Sequence, residues 1–291
     1  MKLKRNLMIT AIAAIGVLGL TACTDSGGGN AAPEVENVEF EAGTTMASLA
    51  EAGSITIGTK FDQPLFGQVG PDGDPVGFDV EIGKLIAAKL GISADNINWT
   101  ETVSANREPY IQSGEVDLVI ATYTINDARK EVVSFAGPYY QAGQDLLVPE
   151  GNPEDITGPE YFTENPDRVV CTVSGSTSEA NIAEYTTNII AAAGYADCLE
   201  PLRTGAADAL TTDNVILAGF ADSTDGEFEV LDAPFTEEPY GIGLALEDTE
   251  FRDFINDVLE EAYDDGDWAA AWEATAGTVL DTPEPPAVDR Y

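Results

Sequence analysis

The sequence predicts an α/β protein of two lobes. Two βα series follow one another, one starting at residue 54 and the other near Arg168, and strands alternating with helical patterns point to βαβ units. A late extended run at 240–246 is placed to return to the first series after the second. The stretch 54–278 is also long for one domain on the usual prior of ~150 residues, and comfortable for two. The two crossings, out along 145–148 and back at 239–241, permit a hinge. The cleft between the lobes is then the natural ligand site.

Taken in order, the chain opens with Lys2, Lys4 and Arg5 before an uncharged apolar run at 7–20. A basic start, a short apolar core and small residues at the cut make an export leader. The run is too short for a good permanent span of a ~30 Å hydrocarbon layer. Leu-Thr-Ala-Cys at 20–23 resembles a lipobox, so residues 1–22 are expected to be removed and Cys23 to be diacylated, holding the protein at the outer face of the cytoplasmic membrane. Residues 23–53, Gly-rich and then acidic, read as a lipidated flexible tether. Lobe 1 is assigned 54–146 and 241–278, lobe 2 is assigned 147–240, and the Pro-rich 279–291 reads as a frayed tail.

Within lobe 1 a strand is expected at 54–58, and the turn residues of 70–75 join two extended pieces as in a hairpin. Asp79 starts a helix whose Ile82, Leu85, Ile86 and Leu90 share a face, and Gly91 stops it. A strand at 97–103 and a short helix at 107–112 follow. The apolar run 117–121 then reads as a strand covered on both faces. The second series gives a strand at 168–173, a helix at 176–190, a strand at 208–212, a helix at 215–221 and a short strand at 228–231. After the return strand, Phe251, Phe254, Ile255, Val258, Leu259 and Ala262 mark one helical face; Trp268 and Trp272 continue it as core.

Composition narrows the chemistry. With 13 Lys and Arg against 52 Asp and Glu, the surface repels nucleic acid and anionic headgroups. The chain has no His, which removes the commonest catalytic base and zinc ligand. Ser–His and Cys–His catalysis are excluded, and neither a metal nor another cofactor is expected. Apart from Cys23, Cys171 and Cys198 form an even pair in an oxidising exterior, read as one disulfide within a lobe.

Ligands of open α/β sheets bind beyond the carboxyl ends of strands, and three such ends carry unusual polar residues. After 117–121 come Thr122, Thr124 and Arg129; Arg129 either offers a fork to a carboxylate or pairs with Asp127 or Glu131. In Ser-Gly-Ser-Thr-Ser-Glu at 174–179, Ser176 and Glu179 have capping-box spacing, either as a plain cap or as an anion-receiving helix start. Asp213 either holds an ammonium group or caps the next helix. Together an Arg, a helix start and a carboxylate suit a zwitterion, and no nucleophile–base pair accompanies them.

The ordered set Gly-Phe-Asp-Val-Glu-Ile at 77–82, Asn106-Arg107, 114–117, 124–129, 135–139, 174–179, 205–208, Thr212-Asp213 and 240–242 resembles solute-binding protein family 3, the polar amino acid receptors of ABC importers. The resemblance covers 54–277; around 58–64 it looks like the glutamate-binding proteins of high-GC Gram-positive bacteria. It implies the type II periplasmic-binding-protein fold, no enzymatic step, and an ABC permease with its ATPase as partners. It also implies that Arg129 clamps the ligand α-carboxylate with Thr124 and the Thr177 backbone. Asp213 and the Thr122 carbonyl would take the α-amino group, and Phe61 would cover the ligand. Lys60 and Arg107 stand as partners for a side-chain carboxylate, the alternatives being a surface lysine and a lobe-stabilising pair. The expected ligand is L-glutamate. Glutamine or another polar amino acid, a ligand sensor without transport, and a dehydratase on the same fold stand as alternatives.

Overall fold

The computed structural model describes residues 33–36 and 38–291. The leader and Cys23 lie outside the described residues. Helix α1 (Thr45–Ala52) precedes β1 (Ile55–Thr59), the hairpin pieces β2 (Asp62–Gln63), β3 (Gly67–Val69) and β4 (Pro75–Val76), and helix α2 (Phe78–Lys89). There follow β5 (Ile97–Glu101), α3 (Arg107–Ser113), β6 (Leu118–Val119), α4 (Asp127–Lys130) and β7 (Ser134–Ala142). The second lobe holds β8 (Gln144–Pro149), α5 (Glu160–Glu164), β9 (Val170–Val173), α6 (Thr177–Ile182), β10 (Ile189–Ala192), α7 (Leu199–Thr204), β11 (Ala209–Asp213), α8 (Asn214–Ser223) and β12 (Phe228–Val230). The chain returns through β13 (Glu238–Leu244) into α9 (Thr249–Asp265) and α10 (Asp267–Ala274).

Among the described residues, one five-stranded sheet has the order β5-β1-β6-β13-β7 and the other β10-β9-β11-β8-β12. In the first, β1 runs parallel to β5 and β6 while β13 runs antiparallel to β6 and β7. In the second, β9 is parallel to β10 and β11, and β8 is antiparallel to β11 and β12. Each lobe therefore keeps its parallel strands pointing the same way, and their carboxyl ends gather the polar residues. Among the described residues no helix is long and apolar enough to cross a membrane.

Trp268 and Trp272 are core, as expected. They stack on each other at 5.9 Å, and Trp272 stacks on Tyr140 at 4.9 Å. Buried Trp268 donates its indole N–H to the Tyr139 carbonyl at 2.8 Å, which satisfies its polar edge.

Several expectations are corrected. The tether is not irregular to residue 53, because Thr44 caps α1 through its hydroxyl and Leu49 is buried. The helix expected at 176–190 stops at Ile182; β-branched Ile189 and Ile190 instead pair with β9 as strand β10. Residues 145–148 are no connector, since Leu146, Leu147 and Val148 are fully buried in β8 of the second sheet. The outward crossing is thus Gly143 alone between β7 and β8, and the inward one lies before Glu238, the first residue of β13. The tail is tied down as well. Asp289 N–H donates to the Gly137 carbonyl at 2.8 Å, Phe135 N–H donates to the Tyr291 hydroxyl at 2.8 Å, and Lys130 sits 3.9 Å from the Tyr291 ring centre.

Cys171 and Cys198 form the expected disulfide, joining β9 to the segment before α7 across a sequence separation of 27. Closing a loop of that length contributes about 3–4 kcal/mol in the chain-entropy model. Reduction is expected to lower the denaturant midpoint accordingly, as read by equilibrium unfolding with and without reductant. Coincident curves would contradict this account.

Candidate functional site

Where the carboxyl ends of the parallel strands face each other, Ser104, Arg107, Thr122, Thr124, Ser176, Thr177, Ser178, Tyr195, Asp213 and Ile216 line a small cavity. Its wall is hydroxyl-rich, with one guanidinium and one carboxylate.

The lobes meet directly around it. The Thr124 and Thr177 hydroxyls lie 3.4 Å apart, and the Thr177 hydroxyl donates to Glu238 Oε2 at 2.8 Å. At the rim the Asp62 carboxylate accepts the Ala196 N–H at 3.3 Å. Gly219 of α8 lies against 64–65, so close that a Cβ there would sit 2.8 Å from the Pro64 carbonyl oxygen.

Asp213 ends β11, and its side chain does not cap α8. It is 4 % exposed; Oδ2 accepts the Tyr240 hydroxyl at 2.6 Å, while buried Oδ1 has no hydrogen-bond partner among the described residues. Burial, then the neighbouring Glu238, push its carboxyl up to about 7, against the pull of the Tyr240 hydroxyl. Ser176 does cap: its hydroxyl accepts the Glu179 N–H at 2.9 Å and donates to the Val173 carbonyl at 2.6 Å.

Arg129 does not pair with Asp127 or Glu131. Its Nε lies 3.2 Å from Glu108 Oε1, and Nη1 donates to the Thr124 carbonyl at 2.6 Å. Among the described residues Nη2 donates to nothing. Arg107 shares the Tyr123 ring with it: the two guanidinium carbons lie 4.4 and 4.9 Å from the ring centre. Arg107 is 3 % exposed, and among the described residues its donors reach only the carbonyls of Ser104, Ala121 and Thr122. Lys60 is no surface lysine. At 4 % exposed, it donates to the Ser104 hydroxyl at 2.9 Å. Burial and the adjacent Arg107 pull its ammonium down to about 7.

The structure thus brings Arg107, Thr122, Thr124, Ser176, Thr177 and Asp213 to one cavity. Lys60 sits one residue behind it through Ser104, and Arg129 adjoins it through Thr124. Phe61 is half-buried and is not among the lining residues. Four lining residues escaped the sequence reading. Ser104 and Ser178 had a signal, since each sits within or beside a motif already singled out. Tyr195 and Ile216 had none: Tyr195 arrives on the segment anchored by Cys198, where its hydroxyl meets Ser178 at 3.3 Å.

A family model described as bacterial extracellular solute-binding proteins, family 3, matches residues 55–274. The glutamate-binding protein GluB of Corynebacterium efficiens is 38% identical over 275 residues, covering 88% of this chain and 85% of that one. The ABC transporter glutamine-binding protein GlnH of Bacillus subtilis is 33% identical, covering 91% and 94%. Among solved structures, a solute receptor for L-cysteine of Neisseria gonorrhoeae aligns with a TM-score of 0.76 at 29% identity, over 84% of this chain and 99% of that one.

Proposed function

The chain belongs to the bacterial extracellular solute-binding proteins, family 3, and on that premise we propose that it is the receptor subunit of an ABC importer for L-glutamate, anchored outside the membrane through Cys23. One observation carries the choice of ligand. Among the described residues the buried cations Lys60 and Arg107 have no carboxylate within 4 Å; burial and Arg107 depress the Lys60 ammonium, while burial and Arg129 depress Arg107. Two buried cations beside one cavity with no carboxylate in direct contact are costly unless an anion joins them. In this reading the free Oδ1 of Asp213 holds the ammonium group and the free end of Arg129 the α-carboxylate. Lys60 and Arg107 neutralise the side-chain carboxylate. The similarity to GluB supports the same assignment. Closure of the lobes on the ligand forms the surface that the permease recognises, and ATP hydrolysis elsewhere drives release.

The test is calorimetry of the wild type and Lys60→Met against glutamate and glutamine. Glutamate is expected to bind more tightly to the wild type, and Lys60→Met to weaken it about 30-fold more than glutamine, the scale of a charged hydrogen bond. The pH dependence has a definite sign. Lys60 titrates near 7 in the free protein, and only its cationic form pairs with a carboxylate. Glutamate affinity should therefore fall as pH rises from 7 to 9, with proton uptake on binding, and glutamine affinity should not. A wild type that prefers glutamine, or equal losses for both ligands, would move the assignment to a neutral amino acid.

A further inference from the structure

The motif Gly-Phe-Asp-Val-Glu-Ile at 77–82 has no part in the cavity wall, yet its Asp79 is fully buried, 0 % exposed, in the first turn of α2. Its two oxygens are fully used. Oδ1 accepts the Tyr139 hydroxyl at 2.6 Å, and Oδ2 accepts the backbone N–H of Thr122 at 2.8 Å.

Thr122 is the residue that needs holding. It lines the cavity, and its φ is +44°, a left-handed conformation that a β-branched residue rarely adopts. Such a conformation persists only where the surroundings over-determine it. The determinants here are few. The Thr122 hydroxyl donates to Gln63 Oε1 at 3.0 Å, its carbonyl accepts Arg107 Nη1 at 3.4 Å, and its N–H goes to Asp79. Of these the bond to Asp79 is the shortest, and it helps keep the carboxyl ionised against burial, which pushes it up to about 7. No side chain of the cavity wall supplies that bond.

We propose that Asp79 is a positioning residue of the ligand site: it holds Thr122 in its left-handed conformation and so sets the direction in which the Thr122 carbonyl and hydroxyl meet the ligand. The inference rests on the amino-acid reading of the cavity. Asp79 itself touches no ligand, and its effect passes through the Thr122 backbone. Two substitutions should therefore relieve its loss. One keeps an acceptor for the N–H; the other removes the strain at its source, because glycine adopts positive φ freely.

The test uses a Tyr139→Phe background, so that no buried hydroxyl is orphaned when Asp79 changes. In that background Asp79→Leu, similar in size and without an acceptor, is expected to weaken both glutamate and glutamine at least 30-fold by calorimetry. Asp79→Asn, which keeps one acceptor oxygen, should stay within about threefold of the background. Adding Thr122→Gly to Asp79→Leu should cost nothing further or recover affinity, whereas Thr122→Gly alone weakens binding. Additive losses, or an Asp79→Leu variant with background affinity, would overturn the proposal. A fall in melting temperature without a change in Kd would assign Asp79 to lobe stability alone and overturn it too. Hydrogen exchange of the Thr122 amide in the wild type needs no variant to fold: exchange slowed at least a hundredfold is expected, and unslowed exchange would overturn the assignment. A wild type that binds no amino acid would defeat the proposed function, while the Thr122 exchange would still decide the role of Asp79.

Discussion

Asp213→Asn is expected to reduce affinity at least a hundredfold for every L-amino acid the protein binds. The substitution keeps the size of the side chain and an oxygen for the Tyr240 hydroxyl, so the fold at the end of β11 should survive. What it removes is the negative charge on a buried oxygen that no group among the described residues satisfies. A ligand ammonium brought into that position would meet a neutral amide inside a cleft with little water. Truncating one partner of a buried charge pair costs roughly 2–5 kcal/mol. The wild type carries its own version of this experiment. Its Asp213 carboxyl is pushed up to about 7, so protons compete for it at mild acidity, and affinity should fall as pH drops from 7 to 5.5. Calorimetry at pH 8 on the variant, and from 5.5 to 8 on the wild type, reads both. A folded variant of near-native affinity would place the ammonium elsewhere.

Arg129→Ala should be as severe and should not discriminate between glutamate and glutamine. Tyr123 and the Thr124 carbonyl fix the guanidinium, and Glu108 occupies its Nε side; on the proposed reading the Nη2 end takes a ligand carboxylate. Removing one side of such a pair costs roughly 3–5 kcal/mol, or hundreds- to thousands-fold. Arg129→Lys keeps the charge and loses the planar fork, so an intermediate loss is expected. The informative comparison is with Lys60→Met. If Arg129→Ala penalised glutamate much more than glutamine, Arg129 would serve the side-chain carboxylate and the α-carboxylate clamp would lie at Arg107.

Sequence patterns sufficed where a residue's role is local. The short strands β1 and β9, the apolar run around β6 and the Ser176 to Glu179 spacing each depend on neighbours within a few positions, and each was readable. Strand β7 was not, because Gly137-Pro138 reads as a break, although the strand continues through it as the partner of β13. Strand β10 imitates a helix extension until β9 offers it a ladder. In the site the same division holds. Asp213 and Arg129 announce themselves by type and position, whereas the burial of Lys60 depends on Ser104 forty-four residues away. The acid behind Thr122 comes from another element again, forty-three residues off. Only the folded chain puts these side by side.

The contact between Gly219 and Pro64 turns the closed cleft into a calliper with a hard stop. With a glycine on one jaw and a backbone carbonyl on the other, the gap has a least width that no side-chain rearrangement can reduce. A molecule shorter than that width rattles between jaws already shut; a longer one props them ajar and forfeits the Asp62 to Ala196 bond at the rim. Length is therefore measured by the frame, separately from charge, which the proposed function assigns to the cations beneath. Two ligands of equal length and different charge meet the same jaws, and their discrimination falls wholly to the chemistry of the floor.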